Sequence, residues 1–370
     1  MGKVKKQKTF NYELAHNEKN HVKINQHSII NSIINRFSVG KKIAIDLGTA
    51  NSHVFLEGKG IVVSEPTVVA YSKTDKKIVA IGLEAKKMLG KSPGDIIVKR
   101  PLKQGVIASY KLTEALLKGL IQQALGRFIF VKPEIMVAVP AGLTSVEERA
   151  VMEAVNSAGA SKIYLIPEPI AAAIGAKLPI SSSSGNMIVN MGGGTAEIAV
   201  LSMNGIVTCM SKRLAGDAVN DSIISYVKKK HKLVVGEQMA EKVKIRLGSA
   251  IKMSEPLSME IRGSDSTTGL PRSIELDSND IVEPIRDVMN EIIKSIKEVL
   301  ESTPPELASD IIDRGIVLSG GTSLIRDIDR LFREALDVPA HVVENPLTSV
   351  VEGVAEALDN IDILKRILKT

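Results

Sequence analysis

Two short segments carry the residue types that bind phosphate. Gly192, Gly193 and Gly194 remove three consecutive Cβ atoms, and Thr195 closes the run with a hydroxyl. A glycine-rich turn between two strands aims several backbone N–H groups into one concavity, which takes phosphate oxygens with no side chain in the way. Gly48, Thr49 and Ala50 make a less complete version of the same turn. Asp46 ends the strand before it, where a carboxylate holds a hydrated Mg²⁺ that neutralises phosphates. One such run alone reads as a tight hairpin. Two in matching contexts imply a nucleotide clamped between lobes.

The contexts do match. IAIDLGTANSHVFL (Ile43–Leu56) and MIVNMGGGTAEIAV (Met187–Val200) are each an apolar strand, a polar glycine turn and a second apolar strand. Asn190 stands where Asp46 does, and Gly192 where Gly48 does, 144 positions on. That offset suggests a duplicated α/β unit with one hairpin per lobe. Between the hairpins, the spacing predicts a helix near Thr113–Leu125, a buried strand Ile135–Val139 and a helix from about Ser145 to Ser157, capped by Thr144 or Ser145. Beyond them it predicts helices over Asp217–Lys230, Gly236–Leu247, Ile281–Leu300 and Leu324–Leu336, with a strand Val317–Gly321. Ser181–Gly185 and Ser264–Gly269 read as loops. The alternation indicates α/β lobes with buried sheets.

Two other glycine patterns fail. Gly90-Lys91-Ser92 resembles the end of a Walker A loop, but Ala85 occupies the place of its first glycine; Gly58 and Gly60 begin a dinucleotide fingerprint whose third glycine is Val63. The six histidines, His16, His21, His27, His53, His231 and His341, form no close cluster outside the head, which argues against a metal site built from them.

The 370 residues are enough for two lobes with separate cores, and 44% hydrophobic content excludes wholesale disorder. A single cysteine, Cys209, excludes a disulfide scaffold and fits a reducing compartment. No run of 18 apolar residues occurs, and the N-terminus shows no signal-peptide core, so a cytoplasmic protein is expected. Aromatics at 3% with no Trp argue against a stacking platform for nucleic acid. Charge is unevenly placed: residues 1–42 hold nine Lys/Arg and two acids, net +7, leaving −1 for the remainder. The head is therefore either a solvated basic arm or a segment drawn to an anionic membrane surface, at ~1 kcal/mol per basic residue near lipid. Ile29, Ile30, Ile33, Ile34 and Phe37 add an apolar stripe that packs on the body or on lipid.

DLGTAN (Asp46–Asn51), EPIAAAIGA (Glu168–Ala176), MGGGTAEIAV (Met191–Val200), LAGD (Leu214–Asp217) and GIVLSGGTSL (Gly315–Leu324) recur in the order of the actin/Hsp70/sugar-kinase ATPases, which the chain resembles. Within them it resembles the MreB family of bacterial actin-like filament proteins, through GKGIVVSEPTVVA (Gly58–Ala70), PLKQGVIA (Pro101–Ala108), VPAGLTSVEERAV (Val139–Val151) and NPLTSVVEGVAEAL (Asn345–Leu358). The resemblance implies an α/β, two-lobed actin-like ATPase fold with a nucleotide cleft between the lobes. It divides the chain into an extension at 1–36, lobe I at 37–190 and 346–370 with a small subdomain about 71–100, and lobe II at 191–345 with a small subdomain about 218–280.

Further roles follow from the resemblance alone. Gly48–Asn51 and Gly192–Thr195 would cradle the phosphates of ATP or ADP, and Asp46 would organise Mg²⁺ through its waters. Glu168 would position the attacking water, paired with Thr195. Gly216 and Asp217 would lie on the lobe II side of the phosphates. Glu241 and Lys244 would flank adenosine, the alternative being an ordinary i,i+3 pair on a solvated helix face. Gly320, Gly321 and Thr322 would admit purine and ribose. Filaments of the chain itself, an anionic membrane surface at the inner face of the cell membrane, MreB paralogues and cell-shape proteins are the implied partners.

One departure touches the chemistry. The family has Asp where this chain has Asn190, which still accepts a hydrogen bond from a metal-bound water but brings no charge. Nucleotide binding with slow hydrolysis is expected, leaving open a paralogue that modulates other filaments. Lesser departures are two glycines at Gly320–Thr322 instead of three, and Gln104 and Ser109 where acids are common. In GRFIFVKPE (Gly126–Glu134), Phe128, Ile129 and Phe130 either begin the next strand or form the loop that enters the bilayer in MreB proteins. A chaperone-type ATPase is disfavoured, because the chain has no room for a substrate-binding domain. A small-molecule kinase lacks a catalytic base beyond Glu168.

Overall fold

The computed structural model describes residues 41–126, 131–364 and 368. The basic head and the Phe128–Phe130 run lie outside them. Two five-stranded sheets form the frame. The first runs, edge to edge, Lys162–Pro167, Glu134–Val139, Lys42–Leu47, Asn51–Leu56 and Gly60–Pro66. The second runs Ala340–Val342, Ile316–Ser319, Asn186–Met191, Ala196–Ser202 and Gly205–Lys212.

The two sheets repeat one design. In the first hairpin Ile43 pairs with Leu56 and Leu47 with Ser52; in the second Met187 pairs with Val200 and Met191 with Ala196, the same register 144 residues on. The leading strand of each hairpin then pairs in parallel with a later strand, Ile43 with Ile135 and Met187 with Ile316. Such centrally placed strands are covered on both faces, which is why they read as continuous apolar runs. Asn186–Met191 belongs whole to the second sheet.

Helices Glu168–Gly175 and Ser349–Asp359 fill the layer between the sheets, in a core that takes Ala44 and Met136 from one sheet and Ile188, Ala199 and Val317 from the other. They cross at glycines. A Cβ on Gly175 would lie 1.8 Å from the Ser349 carbonyl oxygen, and one on Gly353 1.8 Å from that of Ala171. Separate apolar cores lie on the outer faces of the two sheets. A three-stranded sheet (Val69–Ser72, Ile78–Ile81, Ile96–Lys99) with helix Gly82–Met88 forms the small subdomain of the first lobe. Leu233–Val234, Ser258–Asp265 and Pro271–Asp277 form a second small sheet, beside helices Gly216–His231 and Glu237–Leu247.

Two local signals resolve differently from each other. Helix Ser145–Ser157 starts at a capping box: Thr144 Oγ1 accepts from the Glu147 N–H at 3.3 Å, and the Glu147 carboxylate accepts from the Thr144 N–H at 2.8 Å. Thr144→Ala removes the side-chain half of the box and leaves the backbone N–H bonded to Glu147, and urea unfolding will show a loss of about 1 kcal/mol. The helix expected over Leu324–Leu336 instead begins at Ile328, after a 3₁₀ turn at Gly321–Leu324, because Asp327 is left-handed at φ 55° and cannot continue a helix. Among the described residues no helix is long and apolar enough to cross a membrane.

Candidate functional site

The turns of the two hairpins face each other. A Cβ on Gly193 would stand 2.6 Å from the Ala50 Cβ, and one on Gly194 2.6 Å from Thr49 Oγ1. The Gly105 N–H donates to Thr49 Oγ1 at 3.0 Å, and a Cβ on Gly105 would meet Thr195 Cγ2 at 2.7 Å. Glycine at these positions lets two backbones from opposite lobes approach within one atom's width.

Between the turns opens a cavity of about 390 Å³. It is lined from the first lobe by Asp46, Gly48, Thr49, Ala50, Asn51 and Glu168, and from the second by Asn190, Gly192, Gly193, Gly194 and Thr195. Gly216, Asp217, Glu241, Lys244, Gly320, Gly321 and Thr322 complete the wall. Every residue that the sequence assigns to nucleotide or metal thus borders one space; Phe128, Ile129 and Phe130 are outside the described residues.

The second-lobe wall is held by hydrogen bonds to the glycine turn. Thr322 Oγ1 donates to the Gly192 carbonyl at 2.7 Å, the Gly216 N–H donates to the same oxygen at 3.2 Å, and the Asp217 N–H donates to the Gly193 carbonyl at 2.7 Å. Lys244 Nζ donates to the Gly216 carbonyl at 2.9 Å. Gly320 has φ 83°, and a Cβ there would lie 2.3 Å from the Met191 carbonyl oxygen, so only glycine fits. Glu241 does not form the i,i+3 pair with Lys244: its carboxylate reaches Lys86 of the first lobe at 3.0 Å.

The floor of the cavity is crowded with acids. The protein encloses Asp46 on every side but the cavity, and desolvation raises its carboxyl from 3.8 to about 7. Glu168 is pushed well above its ordinary value by burial, then by the carboxylates of Glu197 and Asp46. Burial also raises Glu197, against the Ser211 hydroxyl and the Ala141 N–H that donate to it at 2.5 and 3.1 Å. Asn190 Nδ2 donates to Glu168 Oε2 at 3.4 Å, while the Asn190 Oδ1 is buried without a partner. The Asp46 and Glu168 carboxylates and the unpaired Asn190 amide oxygen border the cavity with oxygen donors, the type that a hydrated divalent cation takes. Desolvation lowers the Lys244 ammonium.

Sequence reasoning missed the residues that only tertiary closure brings in. Arg100 spans the cleft, its guanidinium donating to both Asp217 oxygens at 3.0 Å and reaching Glu237 at 2.5 Å. Asp217 therefore spends its carboxylate on the other lobe. Ile245, Leu324 and Leu347 border the cavity although they are 70%, 55% and 48% exposed. Aliphatic side chains left open around a pocket suit a flat apolar ring. His53 also lines the floor.

Comparison with known proteins agrees with this geometry. The family model described as MreB/Mbl protein matches residues 40–366. The cell shape-determining protein Mbl of Bacillus subtilis is 44% identical over 326 residues, 88% of this chain and 98% of that protein. The cell shape-determining protein MreB of Escherichia coli is 44% identical over 326 residues, 87% of this chain and 94% of that protein. The crystal structure of MreB5 of Spiroplasma citri bound to AMPPNP superposes with a TM-score of 0.84 at 34% identity, covering 87% of this chain and 97% of that one. Matching hairpins, a shared two-lobed frame and these likenesses over nearly the whole described chain make it a member of the MreB/Mbl family.

Proposed function

We propose that this protein is an actin-like cytoskeletal element acting in cell shape, which binds ATP and Mg²⁺ between its lobes and polymerises. The observation that carries the reading is the pair of glycine turns, in identical register within their lobes, facing each other across one cavity.

The roles follow from position. Backbone N–H groups of Gly48–Asn51 and of the second turn, Gly192–Thr195, hold the phosphate oxygens, except that of Gly192, which closes the turn on the Thr195 carbonyl. Asp46 and Asn190 hold the waters of the cation, which when bound supplies the positive charge that offsets the phosphates. Glu168, at the start of its helix and bordering the same cavity as Thr195, orients water toward the terminal phosphate. Ile245, Leu324 and Leu347 cover the purine. Arg100–Asp217, Arg100–Glu237 and Lys86–Glu241 join the lobes above it, and Gln238 Nε2 adds hydrogen bonds to the Lys86 and Leu89 carbonyls at 3.2 Å each. Nucleotide state thereby sets how firmly the lobes close, and closure sets the surfaces that a head-to-tail polymer uses. Asn190, spending its amide on Glu168, favours slow turnover, and so a protein that binds ATP more readily than it consumes it.

Electron microscopy of the purified protein on anionic lipid, with ATP, ADP or no nucleotide, tests the reading. Filaments only with ATP are expected; no assembly and no bound nucleotide under any condition would sink it. Membrane contact is assigned to Phe128, Ile129 and Phe130, whose neighbour Val131 is 41% exposed. In liposome pelleting, Phe128→Ser/Phe130→Ser is expected to remove most of the bound protein, and unchanged pelleting would leave contact to the basic head.

A further inference from the structure

We propose that a groove beside the nucleotide cavity is a second anion site, which takes a compact oligophosphate and so ties the two small subdomains together. The site stands on the groove alone, and its effect on nucleotide release rests on the nucleotide reading above. The groove has a volume of about 360 Å³, within the range of small-molecule pockets. Its walls come from both lobes. Lys86, Lys87 and Lys91 belong to helix Gly82–Met88 and the turn after it; Gln238, Glu241 and Lys242 belong to helix Glu237–Leu247. Glu241 and Ile245 also border the nucleotide cavity, so the two spaces adjoin.

Four lysines and one carboxylate line this groove, in a chain whose charge nearly cancels after residue 42. Glu241 answers Lys86 at 3.0 Å, and Glu84, which does not line the groove, answers Lys87 at 2.6 Å. Lys91 and Lys242 have no ion-pair or hydrogen-bond partner among the described residues. Like charges on opposite walls of a cleft repel, and an anion between them turns the repulsion into two attractions. No arginine lines the groove. The planar guanidinium fork suits a carboxylate, whereas a lysine ammonium is a point charge with three donors, and several around one recess suit phosphate oxygens. That favours an oligophosphate over an acidic peptide. The walls already stand at a fixed spacing, because Gln238 Nε2 donates to the Lys86 and Leu89 carbonyls at 3.2 Å each. An oligophosphate bridging Lys91 and Lys242 adds to that join, and the nucleotide beneath leaves only when the join parts.

The experiment titrates inorganic tripolyphosphate into the full-length protein loaded with a fluorescent ADP, with Mg²⁺ in excess over total phosphate. Calorimetry reads the binding of tripolyphosphate, and fluorescence reads the release of ADP. Wild type is expected to take one tripolyphosphate per chain, keep its ADP, and release that ADP about tenfold more slowly. Lys91→Gln/Lys242→Gln is expected to weaken tripolyphosphate binding about tenfold or more, through lost charge-assisted contacts, with ADP affinity unchanged. Both side chains are exposed, so the variant folds as wild type does. Lys228→Gln/Lys229→Gln removes the same charge from the exposed end of another helix and is expected to bind as wild type does. Equal weakening in the two variants would assign the binding to net charge and overturn the site. Tripolyphosphate that binds by expelling ADP, or that does not bind the loaded protein, also overturns the site and leaves the nucleotide reading standing. Binding with unchanged ADP release overturns the tie between the subdomains. Protein that binds no ADP, yet takes tripolyphosphate through Lys91 and Lys242, removes the nucleotide reading and keeps the site.

Discussion

Gly193→Ala folds, melts within a few degrees of wild type, and binds ATP about tenfold to a hundredfold more weakly. The added Cβ would sit 2.6 Å from the Ala50 Cβ, well inside carbon–carbon contact. Neither methyl has a rotamer into which to retreat. Within each hairpin the backbone is pinned by its ladder, so the overlap is relieved between the lobes and not within them. Overpacking of this kind costs about 1–3 kcal/mol, and every 1.4 kcal/mol drawn from binding is tenfold in affinity. Gly205→Ala is the control, because its Cβ would meet only the Ser202 carbonyl oxygen at 3.6 Å. Titration with a fluorescent ATP analogue, alongside thermal melts of both variants, checks the expectation. Unchanged affinity in Gly193→Ala would mean that the two turns do not close on one ligand.

Much of the frame was legible because it is written in local pattern. An apolar strand, a glycine turn and a second strand announce a hairpin wherever they occur, and the 144-residue offset between the two hairpins marks the duplication. The residues that close the site left no such mark. Arg100 carries no motif of its own; its meaning appears only when folding sets it against Asp217 and Glu237. For Glu241 and Lys244, the alternative to flanking adenosine is an i,i+3 pair on one helix face, yet a lysine 155 positions earlier takes the carboxylate, and a backbone carbonyl takes the ammonium. His53 read as one histidine among six. Ile245, Leu324 and Leu347 read as ordinary aliphatic residues, since exposure around a pocket is a property of the surface and not of the string. Which sheet Asn186–Met191 joins is illegible for the same reason, since it depends on parallel pairing with Ile316–Ser319, far along the chain.

Asn190→Asp has opposite effects on the empty and the loaded protein. Asn190 Nδ2 is the hydrogen-bond donor that faces Glu168, in a neighbourhood already holding Asp46 and Glu197. Replacing it with a carboxylate deletes the donor and adds a fourth acid, so the ligand-free protein is expected to lose about 1–3 kcal/mol of stability. With Mg²⁺ and ATP present, the same carboxylate faces a cation instead of bare acids. It should lower the Mg²⁺ concentration needed for ATP binding about tenfold, since one more anionic group engages the hydrated ion. It also frees Glu168 from the amide and strengthens the charge balance around the terminal phosphate, where a single well-placed group is worth about 10²–10³ in rate. Steady-state phosphate release is therefore expected to rise about tenfold to a hundredfold, with no change for Asn186→Asp, whose side chain lies at the far end of the same strand. A lower Mg²⁺ requirement without faster release would place the slow step elsewhere, in lobe opening or filament turnover. An unchanged Mg²⁺ requirement would show that Asn190 does not face the cation, and Asp46 would then hold it from the first lobe alone.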